Sequence, residues 1–399
     1  MKLAWIVIAL LAAGFIGAKL AFSKSRLPWY LRDIFLTGWE YILVGAALGP
    51  AGFSAIDSAH LQMLDPFLAL GLGWAGLIFG IQLRRRDVAR IDPAALKLAV
   101  GQFLAVWLGL MGFFYMAIRF YASVPFEETL ASSAVAAAAG AISSPTAISL
   151  VAPSFGRKSA RDARALLMVA TLDMAPAVMV VGLTLCFFSV EDGGTFSFQR
   201  GMVYMSYSAI TAMAMAAFYR FMGSDRLKPE EEMTAALGFI ALLSGLALYL
   251  RLSPLFLTLL CGVALANMLK PTDNIYKLLY STEKPFYVIL LIISGLLWRE
   301  TGVTAWVAAG LFVAARIVLK TAAIDGTGRF MPKGLRLYAG AGLALSSQGA
   351  LALAIGINHQ LAFSGRSANL VFAVIVISTM VNEMAAPFLI RRYLARVRR

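Results

Sequence analysis

The sequence predicts an all-α polytopic membrane protein. Hydrophobic residues make up 60% of the 399-residue chain and charged residues only 14%. Apolar runs recur from end to end, joined by short polar links with no room for a soluble domain of about 50 residues or more. About 20 apolar residues in helix cross a ~30 Å hydrocarbon core, and composition of this kind excludes a soluble globule.

Thirteen runs have the length and hydropathy of spans: 3–22, 34–49, 66–83, 95–121, 129–152, 163–190, 201–222, 231–250, 253–269, 285–299, 302–323, 335–358 and 367–390. Basic residues predict their orientation, because Lys and Arg accumulate on the cytoplasmic side. The links after spans 1, 3, 5, 7, 9 and 11 and the C-terminal tail hold 26 of the 35 Lys and Arg residues. The opposite side holds Lys2, Arg119, Arg200, Arg251, Arg299 and Arg366. Alternation over thirteen spans therefore predicts N-terminus out and C-terminus in. Span 1 reads as a retained helix. A cleaved leader would put Lys24, Arg26 and Arg32 on the sparsely charged side.

Two spans are interrupted. Span 5 contains Gly140-Ala141-Ile142-Ser143-Ser144-Pro145-Thr146, where proline removes a backbone donor and disfavours helix in the residue before it. Span 12 contains Gly340, Gly342 and Ser346-Ser347-Gln348-Gly349. Spans 1–6 and 8–13 flank span 7, so each interrupted span is fifth in its half and the halves face opposite ways. The division is a first repeat at 1–190, a linker helix at 201–222 and a second repeat at 231–399, all within a single transmembrane domain. Crossing broken helices at matching positions of inverted repeats mark a secondary transporter's binding site. The bland alternative is that Ser, Gly and Pro only permit close helix packing; the pairing favours the site.

Asp173 is the sole acid in the 25-residue run Leu166–Val190. Nine residues separate it from Arg164 at the membrane face, which puts it ~13 Å deep at ~1.5 Å per residue. An acid at that depth costs ~2.5–3.5 kcal/mol on insertion scales and usually marks an ion or proton path. Asp173 is thus the candidate binding group for a proton or monovalent cation. Ser143, Ser144 and Thr146 are candidates to complete its oxygen shell, although Ser and Thr in apolar helices often bond back to their own helix. Arg316 and Lys320 lie one turn apart on span 11. Arg316 and Lys320 are the candidate counter-charges: Arg316, ~12 Å deep, is favoured, and Lys320, nearer the surface, either snorkels or is itself the functional cation. Glu383 and Glu40 are the other embedded acids, each a second site, a gate or a locally paired group. Glu230-Glu231-Glu232 suits the positive N-terminus of span 8.

Other chemistries find no support. Cys186 and Cys261 sit in apolar runs, and His60 and His359 are isolated. No phosphate-binding Gly-rich loop is present. The net charge of +14 follows membrane topology and does not call for nucleic acid. No cofactor is expected, and the partner the composition requires is membrane lipid.

These residues resemble the monovalent cation:proton antiporter superfamily, which includes sodium/proton exchangers and potassium-efflux antiporters. Arg26-Leu27-Pro28 with Gly45-Ala46-Ala47-Leu48-Gly49-Pro50 resembles its opening signature. Gly80-Ile81-Gln82-Leu83 resembles its Gly-Leu-Glu-Leu stretch, with Gln82 where many relatives have Glu. Ser143-Ser144-Pro145-Thr146-Ala147 resembles its first unwound crossing motif, and Ser347-Gln348-Gly349 its second. Leu252-Ser253-Pro254 with Gly262 and Asn267, and Pro387 with Arg391-Arg392, resemble later stretches. Asp173 matches the essential ion-binding aspartate. The residue before it is Leu172, where relatives usually carry Asp, Asn or another polar side chain.

The resemblance implies an antiporter of a bacterial inner membrane exchanging Na⁺ or K⁺ for H⁺, not an enzyme, and a homodimer. A single carboxylate implies one-for-one, electroneutral exchange. The alternatives are an ion-coupled organic-solute carrier of related fold and a sensor or effector subunit that keeps the fold without exchange. The chain encodes no nucleotide-binding domain, so regulation would come from loops, lipids or a separate subunit.

Overall fold

The computed structural model describes residues 12–14, 16–17, 35–53, 63–121, 124–156, 159–189, 194–222, 229–268, 274–299, 302–328, 337–363 and 365–398. Span 1 and Arg26-Leu27-Pro28 fall almost wholly outside these residues, as do His60, Arg157, Lys158 and the side chains of Glu230 and Glu232.

The described chain is helical. In order come α1 Glu40–Leu48, α2 Asp65–Gln82, α3 Pro93–Tyr121, α4 Phe126–Ala141, α5 Pro145–Val151, α6 Ala160–Leu172, α7 Met174–Phe187, α8 Phe198–Phe221, α9 Pro229–Tyr249, α10 Pro254–Met268, α11 Asn274–Leu296, α12 Val303–Gly328, α13 Ala341–Ala344, α14 Gly349–Ala362 and α15 Arg366–Arg398. The extended exceptions, β1 Phe188–Ser189 and β2 Thr195–Phe196, form a two-rung antiparallel ribbon at the turn between α7 and α8. Among the described residues, seven helical stretches are long and apolar enough to cross a membrane: 65–82, 93–120, 126–155, 160–187, 198–221, 303–327 and 366–397. The apolar helices 234–249 and 254–268 are shorter.

Local chemistry explains the boundaries. Asp92 accepts from the Ala94 amide at 2.9 Å and starts α3, with Pro93 at its first position. Ser197 caps α8 through the Arg200 amide. Three helices outrun their sequence-based limits. α11 starts at Asn274, well before the expected 285, and carries Pro285 inside it. α12 runs to Gly328 where 323 was expected, and α15 absorbs the expected tail up to Arg398. In α11 and α15 the added turns carry Lys and Arg, which look like linkers to a hydropathy reading yet are good helix formers; the added turn of α12, Ile324-Asp325-Gly326-Thr327-Gly328, has no such residue.

Glycine sets the closest approaches. In the pair α2 and α10, a Cβ on Gly80 would strike the Leu259 carbonyl, and one on Gly262 would meet the Leu77 carbonyl at 2.7 Å. In the pair α1 and α11, Gly45 abuts the Ile292 backbone and Gly295 abuts Ile42. Such backbone contact is how helices associate without a hydrophobic driving force between them. The alanine-rich α4 is almost wholly buried and runs through the core, with Gly140 against the ring of Phe312.

Candidate ion-binding site

Both predicted interruptions are present. Ile142 (ψ 156°) and Ser144 (ψ 128°) are extended, and Ser144 is the residue that Pro145 excludes from helix. Ser144 Oγ then accepts from the Thr146 amide at 3.3 Å and restarts the chain as α5. The second interruption covers Leu345–Gln348, between α13 and α14. There Gly349 adopts φ +70°, a left-handed backbone that glycine adopts without strain. The two breaks touch: the Ser144 amide donates to the Ser347 carbonyl at 2.8 Å.

A third interruption lies at Asp173, between α6 and α7. Pro176 cannot donate to the carbonyl of Leu172, so the helix loosens there and the carboxylate projects at the first break. Asp173 is fully buried. Its Oδ1 accepts from the Ser143 amide at 3.1 Å. Its Oδ2 accepts from Ser143 Oγ at 2.7 Å and from Gln102 Nε2 at 3.1 Å. Lys320 Nζ lies 3.6 Å from the same oxygen.

A helix leaves its last four carbonyls without intrahelical donors. At the end of α4 those of Ala139, Gly140, Ala141 and Ile142 are each met by a buried side chain. Gln348 Nε2 reaches Ala139 at 3.2 Å and Lys320 Nζ reaches Ala141 at 2.7 Å. Arg316 serves Gly140 through Nε at 2.6 Å and Ile142 at 2.7 Å, and its third donor reaches the Ser346 carbonyl in the other break at 2.5 Å. Two cations at a helix C-terminus also suit its partial negative charge.

The expected order of the two counter-charge candidates is therefore reversed. Arg316 is spent on carbonyls, and Lys320, 1% exposed, is the cation that contacts Asp173. Lys320 does not snorkel, because α12 continues eight residues beyond it. Of the expected oxygen shell, Ser143 alone bonds Asp173; Ser144 caps α5 and Thr146 faces a cavity. Gln102 was missed, although it is the lone amide in an apolar span.

The second embedded acid occupies the second break. Glu383 on α15 is fully buried, and its Oε1 accepts from Ser347 Oγ at 2.5 Å and the Gly349 amide at 2.7 Å. Its neighbour Asn382 donates to Gln348 Oε1 at 2.8 Å. Glu40, in the first turn of α1, is not brought to Asp173. His359 is buried against Ser132 at 3.0 Å. Among the described residues no three His, Cys, Asp or Glu side chains gather as a multidentate metal site.

A cavity of about 80 Å³ reaches both breaks. Ser144, Pro145, Thr146, Gln348 and Gly349 line it together with Gln82, Glu283 and Tyr287. Met174, next to Asp173, is also in its wall.

A family model described as "Sodium/hydrogen exchanger, transmembrane" matches residues 18–392. The chain belongs to the sodium/hydrogen exchanger family. No curated protein matches its sequence. Two solved structures of the sodium proton antiporter MjNhaP1 from Methanocaldococcus jannaschii share the exchanger fold. One, at pH 8, has a TM-score of 0.67 and 15% identity over 99% of each chain. The other, from electron microscopy, has a TM-score of 0.66 and 15% identity over 100% of this chain and 98% of that one. This exchanger is thus a multi-pass helical membrane protein of a transporter family.

Proposed function

We propose that this exchanger is a secondary antiporter that swaps one monovalent cation, Na⁺ or K⁺, for one proton at Asp173. The observation that carries the reading is the environment of that carboxylate. It is fully buried, held by Ser143 and Gln102, and 3.6 Å from the Lys320 ammonium. Lys320 has one further bond, to the Ala141 carbonyl. An arriving cation takes its place beside Asp173, and a proton taken up by the carboxylate expels the cation. The two ligands compete for one group, so no covalent chemistry is needed.

A single exchanging carboxylate favours electroneutral, one-for-one exchange. The contact between the two breaks supports two inverted six-helix repeats within one transmembrane domain, in the thirteen-span, N-out arrangement that the basic residues favour. On that arrangement the cavity at the breaks opens toward the cytoplasm. Membrane location is read as a bacterial inner membrane and assembly as a homodimer. A cavity of about 80 Å³ suits an ion better than an organic solute, since small-molecule pockets run to several hundred Å³.

The test is exchange in proteoliposomes carrying an internal pH dye, scanned with Li⁺, Na⁺, K⁺ and a panel of organic anions. Proton flux driven by one or more of the cations is expected. Flux driven only by organic anions would favour a solute carrier. No flux, together with a stable co-purifying partner, would favour a sensor subunit.

A further inference from the structure

We propose that Glu383 is a positioning residue for the cation site, its charge offsetting that of Arg316 so that the Asp173–Lys320 pair stands in balanced surroundings. The proposal rests on the reading of Asp173 as the exchange group. Four charged side chains are buried around the breaks: Asp173, Glu383, Arg316 and Lys320. Arg316 interacts electrostatically with both carboxylates, yet its Nε and both terminal nitrogens donate to backbone carbonyls. It is held by the backbone, so its position does not depend on either acid. Its charge still acts on both.

Glu383 is anchored independently, by Ser347 and by the N-terminus of the 14-residue α14. Helix N-termini favour anions. Its second oxygen is buried without a hydrogen-bond donor, so Oε1 alone holds the side chain in place. The other titratable groups facing it are Tyr287 on α11 and, across Tyr287, Glu40 on α1. Neither is a cation, so Arg316 is the positive charge that Glu383 offsets. Removing the Glu383 charge leaves one net positive charge in a buried, weakly screened set beside Asp173. That charge repels an arriving cation. It does not alter the carboxylate that binds.

The experiment separates charge from shape. Glu383→Gln keeps the outline and can still accept from the Gly349 amide. Glu383→Asp keeps the charge and shortens the reach. Cation-driven proton flux in liposomes and cation-induced thermal stabilisation in detergent are measured for both variants with Na⁺ and K⁺. For Glu383→Gln the apparent KM and Kd for the driving cation are expected to rise about tenfold, with the maximal rate within about twofold of wild type. Glu383→Asp is expected to keep KM within about threefold. Unchanged KM in Glu383→Gln, with loss of activity confined to Glu383→Asp, would leave Glu383 as a helix cap alone and overturn the proposal. If Glu383→Gln does not fold, Ser347→Ala removes one of the donors that hold the anion. KM is then expected to rise about threefold, and an unchanged KM overturns the proposal. A wild-type protein with neither cation-driven flux nor cation stabilisation sinks the exchange reading itself, and this proposal with it.

Discussion

The amide of Ser144 donates to the carbonyl of Ser347 at 2.8 Å, so the chain's two helix breaks are bonded directly to each other. Arg316 reinforces the joint by binding Ile142 in one break and Ser346 in the other. Asp173 is fastened to the first break and Glu383 to the second. The breaks and both acids therefore form one connected polar unit in the interior.

Asp173→Asn is expected to abolish exchange while the protein still folds. The amide oxygen, in place of Oδ1, can keep the bond from the Ser143 amide; the amide nitrogen, in place of Oδ2, would oppose the donors of Gln102 and Lys320 and force the Ser143 hydroxyl to turn from donor to acceptor. Proton flux in liposomes and melting in detergent check this. Retained cation-driven flux in a folded Asp173→Asn protein would rule out the site.

Arg316→Ala is expected to destabilise the protein more than Lys320→Ala. The first leaves three buried carbonyls without donors, at about 1–3 kcal/mol each, whereas the second frees one carbonyl and one carboxylate. Melting temperatures in detergent give the order. A larger loss for Lys320→Ala would mean that the ion pair, not carbonyl capping, holds the breaks together.

Gly349→Ala is expected to cost at least ~1–2 kcal/mol, because φ +70° is a left-handed backbone. The added Cβ would also lie 2.6 Å from Ser144 Oγ, forcing the breaks apart. Lowered melting and a large loss of exchange together are the expected result. Wild-type melting would show that the joint is loose.

Exchange rates are expected not to follow membrane potential. One carboxylate holds one proton or one monovalent cation, so no net charge crosses per cycle. An electrogenic cycle would respond by about 2.3 kcal/mol per charge per 100 mV. The check is to clamp liposomes at several potentials with K⁺ and valinomycin while following Na⁺-driven proton movement. A systematic dependence would show that a second group, Lys320 or Glu383, titrates in the cycle.

The parts legible in the sequence were those with a local cause. Pro145 marks the first break because it forbids helix at Ser144 wherever the chain lies. Asp173 stands out because an acid inside an apolar run has few explanations. Lys320 was ranked behind Arg316 because depth was counted from a span end placed at 323, while α12 continues to Gly328. The added turn, Ile324-Asp325-Gly326-Thr327-Gly328, carries neither the hydropathy nor the helix propensity that would have extended the span. The capping of α4 by Arg316, Lys320 and Gln348 was not legible, because it joins segments distant in sequence through carbonyls that every residue carries. Gln102 was visible as a lone amide but not as a ligand of Asp173, since that contact exists only once α3 packs on α6.

The occupied carbonyls at the end of α4 bear on how the protein would tell one ion from another. Selectivity filters strip an ion by replacing its water with rings of free backbone oxygens. Here the four oxygens best placed for that already accept from Gln348, Arg316 and Lys320. An ion docking at Asp173 would meet one carboxylate, the Ser143 hydroxyl and the Gln102 amide, whose oxygen is buried without a donor, and would keep part of its hydration shell. Dehydration would then be incomplete for every alkali ion, and affinities for Li⁺, Na⁺ and K⁺ within about tenfold of one another are expected. A hundredfold preference would require those donors to let go of the helix end as the ion arrives.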